Sequence, residues 1–164
     1  MLELKNEQNE LSLKLTSLGY AREDGWIDVK IAVSQGEHTF SEESECLVDY
    51  DILTITNWFK SLSKRKLPEA SSIYFLEREI SFHFLESTRR WIQIAIELKA
   101  SFELDFMPIQ FHPRIFKKYT FDELIKGGWF DPHRYKQKMI FNLTRKNFLS
   151  IIASLEAASA ELDR

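Results

Sequence analysis

The stretch WIDVKIAV, residues 26–33, places an apolar residue at every second position. The stretch WIQIAIEL, residues 91–98, repeats this alternation. Because successive side chains of a β-strand point to opposite faces of a sheet, such alternation predicts strands with one buried face. Each stretch opens a series of strands that ends in a helical pattern. The chain is therefore predicted to contain two similar strand-then-helix halves, at about residues 10–66 and 71–164.

Length and composition predict one folded domain over residues 1–164. The chain is 44% hydrophobic and 13% aromatic, with only 5 Gly and 4 Pro, which favours a packed core over disorder. The lone cysteine, Cys46, cannot form an internal disulfide, and residues 1–7 lack the basic start and apolar run of a signal peptide. No apolar stretch approaches the roughly 20 residues needed to cross a bilayer. We therefore expect a cytoplasmic protein with no membrane partner.

The first half is predicted to end in an amphipathic helix that Asp51 caps, since a carboxylate can accept an unsatisfied amide hydrogen of the first turn. Apolar residues follow at spacings of three, four and three: Ile52, Ile55, Phe59 and Leu62. The pattern before this helix, from His38 to Val48, is weaker. It predicts either two short strands or one bulged edge strand.

The second half is predicted to be an antiparallel meander that continues into a strand over residues 102–106 and resumes at Met139. A final helix is predicted to begin at Thr144. One face of that helix carries Phe148, Ile151, Ile152, Leu155, Ala158 and Leu162. The predicted fold is therefore α+β, with one large, mainly antiparallel sheet packed by two principal helices.

Residues 107–137 interrupt the second half and are rich in aromatic and basic side chains. Apolar anchors within a polar rim are the composition of a protein contact, for which we select Phe116, Tyr119, Trp129 and Phe130. Alternatively, these aromatic residues simply cover one end of the sheet. The composition favours neither interpretation over the other.

No catalytic or metal-binding pattern is found. The four histidines are 45, 29 and 21 residues apart, so the compact spacing of a metal site is missing. Acidic neighbours disfavour a thiolate at Cys46, which is expected to be structural. We expect no cofactor, no metal and no enzymatic activity. The alternatives are a nucleic-acid-binding α+β module with aromatic side chains on its sheet and, less favoured, an unrecognised hydrolase; the acidic total argues against a nucleic-acid partner.

Charge is distributed unevenly along the chain. Residues 1–51 contain 12 acidic and 4 basic side chains, a net charge of −8, and residues 52–164 have a net charge of +5. Such asymmetry can steer a charged protein partner, or it can reflect solvated strand edges and loops. The lysine-rich segment 60–66 is interpreted as compensation of the helix dipole rather than as a nucleic-acid site.

The order of elements resembles the bacterial WapI family of immunity proteins over nearly the full chain. The resembling segments are WIDVKI (26–31), CLV (46–48), Ile52-Leu53, Trp58-Phe59, EISF (79–82), WIQI (91–94), IFNL (140–143), Phe148-Leu149 and Ile152. The resemblance implies a small cytosolic protein that binds the toxic C-terminal region of a polymorphic toxin and neutralises it stoichiometrically. No reaction of its own is implied.

Given that resemblance, the acidic stretch after the second strand is the first candidate for the toxin contact. Its members are Glu37, Glu42, Glu43, Glu45, Asp49 and Asp51. Many such toxins attack nucleic acids through basic clefts, so these carboxylates are expected to mimic phosphates and to raise the association rate. Binding to the cognate toxin is therefore expected to depend on salt.

Overall fold

Two antiparallel four-stranded sheets and two long helices form the fold in the computed structural model, which describes residues 1–6, 10–106, 108, 123, 126, 127 and 138–163. The elements are β1 (Leu2–Asn6), β2 (Leu11–Tyr20), β3 (Trp26–Gln35), β4 (His38–Val48), α1 (Asp49–Ser63), β5 (Ser72–Tyr74), β6 (Ile80–Ser87), β7 (Ile92–Leu98), a 3-10 turn (Ala100–Phe102), β8 (Lys138–Leu143) and α2 (Arg145–Leu162).

The first sheet has the order β1-β2-β3-β4 and takes one apolar face from the alternation in its sequence. On β3, the side chains of Ile27, Val29, Ile31 and Val33 are at most 1% exposed. The residues between them are only partly buried. The period-two pattern of residues 26–33 therefore marks one core-facing side and one outer side of this sheet.

The second sheet has the order β5-β6-β7-β8 and is built by the same rule. Its central strand β7 buries Ile92, Ile94, Ile96 and Leu98 on the core-facing side. Cross-strand partners such as Phe82 with Ile96, and Ile94 with Phe141, place apolar side chains of neighbouring strands on that side.

The predicted α+β class, the antiparallel pairing and the two principal helices are confirmed. The strands, however, are divided between two sheets rather than joined in one large sheet. The division falls between β1 and β8, which lie beside each other. There the Asn6 side-chain amide donates a hydrogen bond to the Ile140 carbonyl at 3.4 Å, and no strand ladder joins the two strands in the described part of the chain.

Both helices contribute to one core that also contains residues from both sheets. On α1, the rings of Trp58 and Phe59 lie 6.1 and 6.0 Å from the ring of Phe82 in the second sheet, measured between centroids. Phe59 also lies 6.2 Å from Phe148 of α2. An ion pair of 2.6 Å between Lys60 and Glu156 joins the two helices at the surface.

The predicted N-cap of α1, Asp51, is wrong by three residues, whereas the predicted N-cap of α2 is confirmed. Val48 is the N-cap of α1, and Asp51 lies within the first turn, where its carboxylate accepts the Val48 amide hydrogen at 2.9 Å. Thr144 is the N-cap of α2, and the Asn147 side chain accepts the Thr144 amide hydrogen at 2.7 Å. The carboxylate of Asp51 therefore fixes the helix start from the third position rather than from the cap.

Residues 102–106 do not form the predicted strand. Phe102 is the last residue of the 3-10 turn and residues 103–106 follow it, yet Phe102 and Leu104 are fully buried. His38 at the start of β4 stacks on Phe106 at 5.3 Å between ring centroids. The alternation thus reflects burial of an irregular segment against β4. A strand and a buried loop can both give the same alternation of apolar and polar residues.

Candidate partner-binding site

The acidic stretch lies on β4, the edge strand of the first sheet. The strand is bulged: Leu47 pairs with Ile27 and Glu45 pairs with Asp28, which leaves Cys46 as the extra residue. Of the two predictions for residues 38–48, the single bulged edge strand is therefore correct. Cys46 is buried, and burial, followed by the charge of Glu79, raises the pKa of its thiol to about 12. Such a thiol is a core side chain rather than a nucleophile.

The register of β4 separates its glutamates into two sets. Glu43 lies opposite Lys30, and Glu45 lies opposite Asp28, so both side chains share the outer face of the sheet. Glu42 lies opposite Ile31, so it projects from the core-facing side of the edge strand, although it remains exposed. The structure therefore does not bring all four selected glutamates onto one face.

The remaining acidic residues selected from the sequence lie at the two ends of β4. Glu37 is exposed in the turn between β3 and β4. Asp49 is exposed at the start of α1, while Asp51 is half-buried, and burial raises its pKa against the opposing effect of the Val48 hydrogen bond. Asp51 is thus a structural residue of the helix start.

Two of the selected glutamates already have cationic partners. Glu45 lies 3.0 Å from Arg22, and Glu43 lies 3.4 Å from Lys30. Exposed ion pairs of this kind contribute only about 0–1 kcal/mol to stability, so a partner protein can exchange them at little cost. Glu37 and Glu42 take part in no ion pair within the described residues.

Arg22 connects the acidic face to a cleft that the sequence analysis did not select. The guanidinium lies 3.8 Å from Asp24 and 5.0 Å from the centre of the Trp26 ring. The cleft, about 660 Å³ and open to solvent, is lined by Tyr20, Ala21, Arg22, Glu23, Asp24, Gly25 and Asp49. It forms because the Asp49 amide donates a hydrogen bond of 3.1 Å to the Gly25 carbonyl, which holds α1 against the β2-β3 turn.

One exposed tyrosine lies on the wall of this cleft, and a second lies in the first turn of α1. Tyr20, on its wall, is 47% exposed, and Tyr50, the residue after Asp49, is 69% exposed. Tyrosine beside carboxylates provides apolar contact area together with a hydrogen-bonding group, which is a common composition of interface hot spots. The charged turn Arg22-Glu23-Asp24 between two strands is the signal that the sequence offers for this cleft, but Asp49 is distant in sequence and joins the turn only through the fold.

The aromatic candidates Phe116, Tyr119, Trp129 and Phe130 lie outside the described residues. Their role as a contact therefore stays a prediction.

His83 takes part in a polar network on the outer side of the second sheet. Its ring nitrogens lie 2.8 Å from the Ser72 hydroxyl and 2.9 Å from the Ser81 hydroxyl, and Glu97 lies 3.4 Å away. The residue is only 8% exposed, and burial, followed by the charge of Lys138, lowers its pKa. Histidine, serine and carboxylate are together here, but the ring is too enclosed to reach a substrate. The arrangement is therefore that of a neutral structural histidine.

Within the described residues, no three His, Cys, Asp or Glu side chains are placed to hold a metal ion. In that same part of the chain, no helix is both long enough and apolar enough to span a membrane.

The fold is that of an α+β protein whose candidate site is an open, charged surface. The family model described as the immunity protein WapI-like family matches residues 1–163, and the chain belongs to this family. Neither the curated proteins nor the solved structures gave a match. The resemblance noted in the sequence is thereby confirmed.

Proposed function

We propose that this protein is an immunity protein that binds a cognate bacterial toxin domain and neutralises it by stoichiometric association in the cytoplasm. Membership of the WapI-like immunity family is the observation that carries this proposal. An open charged surface on a well-packed core is compatible with it, since such surfaces serve macromolecular recognition. No step of chemistry is required of the protein.

The outer face of the first sheet, together with the adjoining cleft, is proposed as the main toxin contact. The sheet face carries Glu3, Asp28, Glu43 and Glu45 with Lys5, Lys14 and Lys30, and the cleft carries Glu23, Asp24 and Asp49 with Arg22. An excess of carboxylates on an exposed face attracts a basic surface over a distance and raises the association rate. Tyr20 and Tyr50 would then supply the apolar contact area.

The aromatic residues Phe116, Tyr119, Trp129 and Phe130 remain proposed as an additional toxin contact. It rests on composition alone, because aromatic anchors among basic residues are typical of interface cores.

The first experiment tests neutralisation and its stoichiometry. The protein is co-expressed with the toxic domain encoded by a toxin-like gene immediately upstream of its own gene. We expect restored growth and a complex of one to one by size-exclusion chromatography with light scattering. Protection by amounts far below the amount of toxin would indicate catalysis and would contradict the proposal, as would the absence of both a complex and protection.

The second experiment separates the two faces of β4. Glu43→Gln with Glu45→Gln removes charge from the outer face, and Glu42→Gln removes it from the opposite side. Glu10→Gln with Glu161→Gln is the matched control, since both residues are exposed and form no ion pair in the described structure. We expect the outer-face variant alone to slow toxin association at low salt, by about 10-fold. Equal slowing by the control variant would assign the effect to net charge and would remove this face as the contact.

A further inference from the structure

Seven basic side chains gather where three segments of the chain meet. These segments are the end of α1 with the turn that follows it, the turn between β6 and β7, and the first turn of α2. The side chains, named here the basic cluster, are Lys64, Arg65, Lys66, Arg89, Arg90, Arg145 and Lys146, and all are exposed. In the sequence only the first of the three segments stands out as a basic run, because the other two join it through the fold.

Four members of the basic cluster line a cleft of about 330 Å³, namely Lys64, Arg65, Arg90 and Arg145. The apolar side chains at its floor, Ile92, Leu143 and Phe148, are at most 4% exposed. The cleft therefore presents cationic groups to solvent above a floor of buried apolar side chains. Its chemistry fits an anionic group.

Among the residues that the structure describes, the basic cluster has no carboxylate partners. In the described part of the chain, no carboxylate lies within 4 Å of the charged groups of its seven members, and the two nearest acids along the sequence, Glu69 and Glu86, form no ion pair. By contrast, carboxylates lie within that distance of Lys5, Arg22, Lys30, Lys60 and Lys99. Cations elsewhere on the surface are thus mostly paired, whereas here like charges adjoin each other and their repulsion is not compensated.

The first turn of α2 adds to this electrostatic cost. Arg145 and Lys146 occupy that turn, which contains no acidic residue. The N-terminal end of a helix carries partial positive charge and favours anions, so two cations there oppose helix stability. Dipole compensation explains Lys64 at the end of α1, but it cannot explain the cations on α2.

Arg65 joins two of the three segments of the basic cluster. Its guanidinium donates hydrogen bonds to the backbone carbonyls of Thr88 at 2.6 Å and Arg89 at 3.1 Å. These bonds fix the turn that carries Arg89 and Arg90 against the end of α1. The segments that carry Arg65, Arg89 and Arg90 are thereby held together before any partner arrives, which reduces the entropy lost on binding.

We infer that the basic cluster is a second contact surface, which takes an acidic segment of a partner protein. A nucleic acid fits less well, since the protein has a net charge of −3 and its overall field opposes a long polyanion. A short run of Asp and Glu side chains concentrates its negative charge in one segment, which matches the limited extent of the basic cluster. The identification of the partner as the toxin rests on the proposed function. The inference that the basic cluster binds an acidic segment does not rest on it.

Fluorescence anisotropy with a labelled peptide of ten glutamates tests the surface directly. Arg90→Gln with Arg145→Gln removes two cleft charges. Lys14→Gln with Arg78→Gln is the matched control, because it removes two exposed cations that lie outside the cluster. At low salt we expect the cleft variant to weaken peptide binding by about 10-fold and the control variant by less than about 2-fold. Circular dichroism verifies that both variants are folded.

Three outcomes would overturn the inference: no peptide binding by the unaltered protein, equal weakening by both variants, or tighter cleft-dependent binding of a single-stranded RNA than of the peptide. The assay contains no toxin, so its result is separate from the test of neutralisation. Toxin capture without peptide binding removes only the second surface, whereas peptide binding without toxin capture removes only the proposed function.

Discussion

The guanidinium of Arg65 donates a hydrogen bond of 2.6 Å to the backbone carbonyl of Thr88, which joins the end of the first helix to a turn of the second sheet. Arg65 itself has a left-handed backbone, with φ of 53°. That conformation directs the chain back from α1 toward Lys66, whose amide bonds the Ser61 carbonyl at 3.1 Å. A single residue therefore ends a helix and positions a turn 23 residues later.

Arg65→Ala is expected to lower the free energy of unfolding by about 1 kcal/mol, because charge-assisted hydrogen bonds to carbonyls are lost at an exposed site. Urea denaturation measures this change. Arg78→Ala is the control, since Arg78 is also exposed and has the same φ of 53°, yet its side chain makes no such bonds in the described structure. Equal losses in the two variants would show that backbone strain alone determines the effect.

Lys146→Glu is expected to raise stability by about 0.5–1 kcal/mol, because an anion replaces a cation at the positive end of α2. For a chain of this length, 1 kcal/mol corresponds to a rise in Tm of about 2–4 °C. Differential scanning calorimetry in low salt tests it. In 1 M NaCl the gain should largely vanish, since the Debye length there is only about 3 Å; a gain that persists in high salt would point to a cause other than electrostatics.

Neighbouring positions on α2 are expected to differ in their tolerance of alanine. Phe148 is 3% exposed and packs against Phe59, so Phe148→Ala should cost about 3–5 kcal/mol. Ile152 is only partly buried and should cost less, and Leu149, 64% exposed, should cost about 0.5 kcal/mol or less. Urea denaturation of the three variants gives the order. A Leu149→Ala variant as unstable as Phe148→Ala would refute the assigned helix face.

The strands and helices could be predicted because a buried face gives apolar residues a period of two in a strand and of 3.6 in a helix. The same reasoning failed at residues 102–106, where Phe102 and Leu104 are buried without strand pairing. It also joined the strands into one sheet, since alternation shows which side of a strand is buried but not which strand lies beside it. The division between β1 and β8 is visible only in the hydrogen-bonded pairing of the strands.

The candidate surfaces were predictable only in part for a related reason. Contiguous acidic residues on β4 were visible as a run, although the register then divided Glu42 from Glu43 and Glu45. The cleft at Arg22 and Asp49 and the cluster around Arg65, Arg90 and Arg145 combine residues that are far apart in the chain. Charged residues that the fold brings together from distant segments give no periodic pattern in the sequence.

Stability is expected to fall as the solution is acidified, in part through His83. Burial and Lys138 lower the pKa of this side chain from its ordinary value of 6.5, so between the folded and unfolded pKa values the unfolded chain binds more protons. Stability from the neutral ring is therefore present above about pH 6.5 and is lost as the pH falls toward the folded pKa. Urea denaturation at a series of pH values from 7.5 to about 5 measures the slope. His83→Gln, which keeps a hydrogen-bonding side chain beside Ser72 and Ser81 but cannot titrate, should reduce the slope. An unchanged slope in that variant would assign the pH dependence to other groups, and His38→Gln, at an exposed position, is the control for replacing a histidine.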